Sequence, residues 1–116
     1  MTYAEKLAFY EKLVATNPDL TRKGDTMPYT SLNGNMFSLL TKEGTLIIRL
    51  DPDSQAAFLK KYKSKLPVQY GAVMKEYVEV PDALLAKTRE LKKYFDLSYA
   101  YASSLTPKPK KKKKKK

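Results

Sequence analysis

The stretch PYTSLNGNMFSLLTKEGTLIIRLDP, residues 28–52, decides the fold, because it predicts three antiparallel strands joined by two tight turns. Asn33-Gly34 suits a two-residue type I′ hairpin, in which both central residues need positive φ. Gly44 suits the left-handed position of a slightly longer second loop. In the strand that follows, alternate residues share a face, and one face is aliphatic: Leu46, Ile48 and Leu50. That face is expected to lie on the core.

Helix signals flank this meander on both sides. Thr2 and Glu5 fit a capping box, so a helix is expected to begin at Thr2 and to end before Pro18. Asp51-Pro52 predicts the start of a second helix, because aspartate accepts from the first free backbone N–H groups and proline suits the first helical position.

The chain after the second helix predicts one more strand and one long helix. The strand is expected from Val73 to Val80, and the helix from Asp82 to about Leu105. Apolar and small residues recur along that helix at steps of three, four and seven: Leu84, Leu91, Phe95, Ser98, Ala102 and Leu105. A helix of this length would cross the whole sheet and could offer an apolar end to a partner. Leu20 to Lys23 is a candidate short edge strand.

These elements predict an α+β fold with two layers. One antiparallel β-sheet of about five strands is expected to be covered by about three helices, approximately in the order α-β-β-β-β-α-β-α. At 116 residues the chain suits a single domain, which we place at residues 1–105. Residues 106–116, TPKPKKKKKKK, form a Pro/Lys-rich tail that is predicted to be disordered, because it has no apolar surface to bury.

The net charge of +11 comes mostly from the tail lysines and not from the domain. Without the tail lysines, 15 basic residues face 12 acidic ones, a net charge of +3. A lysine run binds polyanions non-specifically through counterion release, so the tail is a candidate nucleic-acid or polyanion contact. A solubilising tail explains the run equally well. The candidate polyanion-binding residues are Lys108, Lys110, Lys111, Lys112, Lys113, Lys114, Lys115 and Lys116.

No catalytic constellation is visible in the sequence. The chain has neither histidine nor cysteine, so triads, thiolate nucleophiles and the commonest metal ligands are excluded. Its four glycines form no phosphate-binding loop. Asp51 and Asp53 are better explained by a helix start than by a Mg²⁺ or Ca²⁺ site. We therefore expect a non-enzymatic protein without metal or cofactor. With no apolar run of membrane-spanning length and no signal peptide, we expect no membrane contact and a cytoplasmic location.

Two further features leave alternatives open. Four lysines lie at the end of the second helix, where the helix dipole favours cations: Lys60, Lys61, Lys63 and Lys65. We interpret them as solvent-exposed charges, although they could bind a phosphate. Nine tyrosines could stack on nucleic-acid bases. Most of them fall at helical core or rim positions, which favours packing of the rings with a wet hydroxyl group.

Four stretches, in this order and spacing, resemble the TfoX N-terminal domain family. They are NGNMF at residues 33–37, LIIRLDP at 46–52, MKEYVEVP at 74–81 and LSYAYASSL at 97–105, the last followed by Thr-Pro-Lys. The family is typified by the N-terminal half of a bacterial regulator of DNA-uptake competence. Its usual turn before the hairpin is Arg-Met-Phe-Gly-Gly-like, whereas Gly24 to Pro28 here lacks the paired glycines.

The resemblance implies the same single sheet covered by helices, and a regulatory or interaction domain. It implies no catalytic residues, since none are known for this domain. We expect another protein, or a second copy in a homodimer, as the partner. The alternative is a nucleic-acid-associated protein whose tail supplies the affinity. From the sequence, we expect a functional site on the long C-terminal helix or in the tail.

Overall fold

The computed structural model describes residues 1–24, 26–69 and 71–105. It confirms an α+β fold. The elements, in chain order, are α1 (Tyr3–Val14), β1 (Tyr29–Leu32), β2 (Asn35–Leu40), β3 (Leu46–Arg49), α2 (Pro52–Tyr62), β4 (Val68–Gln69), β5 (Ala72–Val73), β6 (Tyr77–Val80), α3 (Asp82–Leu85) and α4 (Thr88–Ser104). None of the helices in the described part of the chain is both long and apolar enough to cross a bilayer.

The meander predicted over residues 28–52 is confirmed. It supplies β1, β2 and β3 of a four-stranded antiparallel sheet, in which β6 adds the fourth strand beside β3. Asn33 and Gly34 have φ of 55° and 80°, as a type I′ hairpin requires. Gly44 has φ of 86° in the second turn. The turn chemistry read from the sequence therefore sets the register of the sheet.

One irregularity interrupts β2. Thr30 pairs with Ser38, but the next residue, Ser31, pairs with Met36. Phe37 is therefore an extra residue without a partner on β1, which is a β-bulge. Both Phe37 and Ser38 point towards the helices, since the Phe37 ring lies 5.7 Å from that of Phe95 and the Ser38 hydroxyl meets the Tyr10 hydroxyl.

Helices α1 and α4 cover one face of the sheet. Alternate residues of β3 and β6 meet the buried residues of these helices, as the alternation in the sequence predicts. On α4 the buried residues are Leu91, Tyr94, Phe95, Ser98 and Ala102. The sequence had placed four of these five on the core-facing side of the helix. The resulting cluster is the hydrophobic core of the protein.

Helix starts follow the predicted chemistry. The Thr2 hydroxyl accepts from the Glu5 N–H at 3.2 Å, and the Glu5 carboxylate accepts from the Thr2 N–H at 2.8 Å, which completes the capping box. At α2 the Asp51 carboxylate accepts from the Ser54 N–H at 3.1 Å. Hydrogen bonds from Ser54 lower the pKa of Asp51, so the cap is ionised at neutral pH.

The structure divides the long helix predicted from Asp82 to Leu105. It ends α3 at Leu85 and begins α4 at Thr88, and Lys87 between them has φ of −105° and ψ of 74°. The Lys87 N–H bonds to the Leu84 carbonyl at 2.9 Å, which closes the short turn. Neither Gly nor Pro marks the break. The apolar spacing from Leu84 to Leu91 continues across it because both side chains face the core.

The strand predicted from Val73 to Val80 is also divided. The Tyr77 N–H bonds to the Met74 carbonyl at 3.2 Å, so residues 74–76 form a turn between β5 and β6. Strand β5 pairs with β4 in a separate two-stranded sheet, and the main sheet has four strands rather than about five. The candidate edge strand at Leu20–Lys23 is reduced to one bridge, from Lys23 to Tyr29.

Candidate functional site

The second face of the sheet lies opposite α1 and α4. It carries Tyr29, Leu39, Ile47 and Glu79, which pair side by side across the four strands. Leu39 and Ile47 are buried, but neither belongs to the core cluster beneath the helices. The protein therefore has apolar side chains on both faces of its sheet, and the cover of this second face is a different part of the chain.

Gln69 of β4 and Met74, which follows β5, lie over part of this face and leave a groove open. A cavity of about 350 Å³ lies between the hairpin and strands β1 and β2. We call it the methionine groove; the described residues that line it are Met27, Tyr29, Met36, Leu39, Gln69 and Met74. Three of the four methionines of the chain meet here. A thioether side chain is flexible and polarisable, so such a lining adapts to differently shaped apolar groups.

A second cavity, of about 370 Å³, adjoins the methionine groove and shares Met27 and Gln69 with it. Lys42 and Glu43, from the turn between β2 and β3, and Val68 complete its described lining. The methionine groove is thus apolar near Met36, and the cavity that adjoins it carries one charge of each sign.

Two exposed valines stand beside the groove. Val68 and Val73 pair across the hairpin, with 56% and 52% of their surface exposed. Exposed apolar residues on such a small hairpin gain little from the fold itself, since they bury little surface there. They extend the apolar surface around the groove.

A polar cluster fixes the Met36 end of the groove. The Tyr77 hydroxyl donates to the Met36 carbonyl at 2.7 Å. The Arg49 guanidinium donates to the Glu76 carboxylate at 2.6 Å through Nε and lies 5.7 Å from the centre of the Tyr77 ring. Tyr101 of α4 donates to the same carboxylate at 3.1 Å. The backbone at Met36 is therefore held in place while its side chain lines the groove.

Burial raises the pKa of both Tyr77 and Tyr101, so their hydroxyl groups remain donors at neutral pH. Both donors have acceptors, Met36 and Glu76, which are already part of the fold. This cluster is therefore a support for the groove and offers no unoccupied acid or base.

The family model of the TfoX N-terminal domain matches residues 30–102. This chain belongs to that family. No curated protein and no solved structure matches it. The match confirms the resemblance carried by NGNMF and LIIRLDP and indicates a domain of the regulator type. In this TfoX N-terminal domain the matched span holds the four-stranded sheet except Tyr29, the first residue of β1, and most of α4. Helix α1 and Met27 precede the match.

The sequence favoured two regions of this TfoX N-terminal domain for function, the tail and the long C-terminal helix. The tail lysines, Lys108 and residues 110–116, lie outside the described residues. Helix α4 stays on the sheet up to its last turn, where Ala102 is fully buried, and its largest exposed apolar side chain is Leu97, at 39%. The expected apolar extension beyond the sheet is therefore absent from α4 up to Ser104.

Sequence reasoning missed the methionine groove. Met27, Met36 and Met74 are far apart in the chain, and the sequence predicted a single strand from Val73 to Val80 instead of a hairpin that brings Met74 to the sheet. One signal was present: both alternating sets of residues in β2 contain apolar side chains, Met36 and Leu40 in one set and Phe37 and Leu39 in the other, whereas a strand with one solvent-exposed face would carry polar residues there. Two apolar faces on one strand imply a cover or a binding surface on each.

Proposed function

We propose that this TfoX N-terminal domain is a non-enzymatic regulatory domain that binds a segment of another protein in the methionine groove. The observation that carries the proposal is the groove itself, an open cavity of about 350 Å³ lined by three methionines on a sheet face that the helices leave free. A cavity of this size suits one or two large apolar side chains of a partner. The exposed Val68 and Val73 would be covered beside it.

The polar cavity that adjoins the methionine groove defines the partner further. Lys42, Glu43 and Gln69 can bind the main chain and a charged residue of a bound segment, and the apolar end takes its anchor side chain. We therefore expect a short peptide segment with one large apolar residue a few positions from a charged one. Because the groove is concave, a protruding side chain from a different protein fits it better than the flat face of a second copy.

The non-enzymatic part of the proposal rests on the chemistry of the chain. Without histidine or cysteine, acid–base and nucleophilic roles would fall to tyrosine, lysine or carboxylate groups. Four tyrosine hydroxyls are engaged in structural hydrogen bonds: those of Tyr10, Tyr62, Tyr77 and Tyr101. Groups held in this way stabilise the fold.

Selection from a random peptide library tests the proposal. Peptides enriched on the wild-type chain should share a large apolar residue, and Met74→Asp should weaken their binding more than tenfold, because it places a carboxylate against the anchor. Leu97→Asp is the matched control, since Leu97 is an exposed apolar residue on α4, and it should leave binding unchanged. Equal binding to Met74→Asp would refute the proposal. A dimer in light scattering that Met74→Asp dissociates would identify a second copy as the occupant instead.

We infer a second function, non-specific polyanion binding, from the eight lysines in the last nine residues. Each neutralised phosphate releases counterions, so the affinity for duplex DNA should fall steeply as salt rises. Replacing the tail lysines with glutamine in the full chain should abolish both the affinity and its salt slope. A variant that still binds DNA with the same slope would exclude the tail as the binding segment.

A further inference from the structure

Another cavity, away from the methionine groove and the cavity that adjoins it, is lined by lysines from two separate parts of the chain. Its volume is about 330 Å³, and it lies between the end of α2 and the α3–α4 junction. We call it the lysine cleft; its lining includes Lys61, Tyr62, Lys63, Leu84, Lys87 and Glu90. A smaller cavity beside it shares Lys63 and adds Lys65. Lysines at the end of α2 are thus joined by one that the sequence placed inside a continuous helix.

Two of these lysines occupy positions that disfavour them. Lys63 ends α2 with φ of 51° and ψ of 42°, the left-handed conformation in which glycine or asparagine is usual. Lys87 stands at the N-cap of α4, where serine or aspartate is usual and where the positive end of the helix dipole repels a cation. Residues that break local rules in this way are found most often at functional sites.

The charges of the lysine cleft are only partly offset by the fold. Among the described residues, no carboxylate lies within ion-pair distance of Lys61, Lys63 or Lys87. The cleft's own acid, Glu90, accepts a hydrogen bond of 2.5 Å from the Tyr62 hydroxyl. That bond, helped by nearby Lys87 and Lys61, lowers the pKa of Glu90, so it stays ionised. Three cations and one engaged carboxylate leave the cleft with a net charge of about +2.

The remaining wall of the lysine cleft is apolar. Pro81, Ala83 and Leu84 form it. A bare inorganic anion would use only the lysines, whereas an organic phosphate would use both walls. Its phosphate groups would bind the ammonium groups, and its carbon skeleton would lie on the apolar side. The concave shape and limited volume suit a small molecule better than a nucleic-acid duplex.

We propose that the lysine cleft binds a small organic phosphate through Lys61, Lys63 and Lys87. This site is separate from the methionine groove in its lining and in its chemistry. A bound phosphate would give this regulatory domain a second ligand. The proposed binding of a protein segment does not require that ligand.

Residue-resolved NMR of the full chain, titrated with adenosine 5′-diphosphate and with pyrophosphate as probes, tests the proposal. Saturable shifts are expected at Lys61, Lys63, Lys87 and Leu84, and their location separates the cleft from the lysine tail. The diphosphate ester should bind more tightly than pyrophosphate because of the apolar wall. Tighter binding of pyrophosphate, or no saturable shift at the cleft, would overturn the proposal.

Two substitutions separate binding from folding. Lys63→Gly and Lys87→Ser each install the residue that the local backbone favours, so the melting temperature should stay the same or rise. Each should nevertheless weaken the diphosphate about tenfold, as expected for the loss of a charge-assisted hydrogen bond. Lys12→Gln and Lys75→Gln are controls at exposed lysines outside the cleft lining. Unchanged affinity in the first pair, or equal losses in the controls, would contradict the proposal.

Duplex DNA provides the final comparison. If DNA shifts the cleft signals at lower concentration than the diphosphate does, the cleft is a nucleic-acid contact and the small-molecule proposal fails. If DNA shifts only signals of the tail, the assignment to a small phosphate is supported.

Discussion

The two faces of the sheet are filled in opposite ways. The face under α1 and α4 is packed with rigid aromatic and aliphatic side chains, and its polar groups are paired. There the Tyr10 hydroxyl meets the Ser38 hydroxyl at 2.6 Å, Ser38 also bonds to Thr30, and Ser98 donates to the Phe37 carbonyl at 3.0 Å. The other face has methionines, a hairpin whose two strands have two residues each, and an open groove.

This difference separates stability from recognition. The helix-covered face gains from close packing, in which each buried side chain has fixed neighbours. The methionine face leaves room, and its flexible thioether groups can repack around a ligand. We therefore expect substitutions on the first face to change the free energy of unfolding, and substitutions on the second to change binding.

Phe95→Ala should produce the largest loss of stability. Phe95 is fully buried and its ring lies 5.7 Å from that of Phe37, so truncation leaves a cavity in the core. We expect a loss of about 3–5 kcal/mol in the free energy of unfolding, measured with urea. Met36→Ala on the other face is the comparison and should cost less than about 1.5 kcal/mol. Similar costs for the two substitutions would show that both faces are structural.

Tyr10→Phe should remove part of an alkaline loss of stability. Burial raises the pKa of Tyr10 to about 12 from its ordinary value of 10.0. The unfolded chain therefore releases this proton first, and stability should fall as pH rises from about 10 to about 12, by roughly 2–3 kcal/mol from this residue.

The difference in the free energy of unfolding between wild type and Tyr10→Phe, measured at each pH, isolates the contribution of Tyr10 from that of all other groups. Below pH 9 the variant should cost about 1 kcal/mol, for the lost hydrogen bond to Ser38. Parallel pH profiles for the two proteins would contradict the prediction.

Gly24→Ala should disturb the methionine groove as well as the fold. Gly24 has φ of 82°, and a Cβ atom there would lie 2.6 Å from the Met27 carbonyl oxygen. We expect a loss of about 1–2 kcal/mol and weaker binding of groove peptides, because Met27 must move. Gly71→Ala is the matched control: its φ is 75°, but among the described residues beyond its chain neighbours no atom lies within 4 Å of the added carbon. If both variants bind peptides equally well, the Met27 turn does not shape the groove.

Met36→Leu should have the smallest effect on stability, under about 1 kcal/mol, because the two side chains have similar volumes. Peptides with differently shaped anchors should nevertheless be discriminated more sharply, since leucine adapts less than methionine. Measured affinities for a set of Leu, Phe and Trp anchored peptides check this. An unchanged ranking and spread of affinities would mean that Met36 does not contact the anchor.

Local chemistry made much of the fold predictable. Four features depend only on residues close together in the sequence, and all four appear in the structure as predicted: the Asn33-Gly34 turn, the turn at Gly44, the capping box at Thr2 and the cap at Asp51. The break at Lys87 was not predictable in this way. The core takes Leu84 and Leu91 on either side of it, so the apolar period continues although the helix does not.

The candidate sites depended on contacts between distant residues, which a single sequence does not encode locally. The methionine groove needs the hairpin to fold back on the second face of the sheet. The lysine cleft needs Lys87 to leave the helical path and meet Lys61 and Lys63. The sequence did contain the second possibility, because it left a phosphate contact open for the lysines at the end of α2.

The bulge at Phe37 acts as a spacer on the opposite face. In a regular strand, side chains that point the same way are two residues apart, about 7 Å. Because Phe37 is inserted, the outward positions next to it are Met36 and Leu39, three residues apart and about 10 Å along the strand. One residue that completes the core on one side therefore separates two lining residues on the other. The dimensions of the groove floor and the packing of Phe37 under α4 are set by the same insertion.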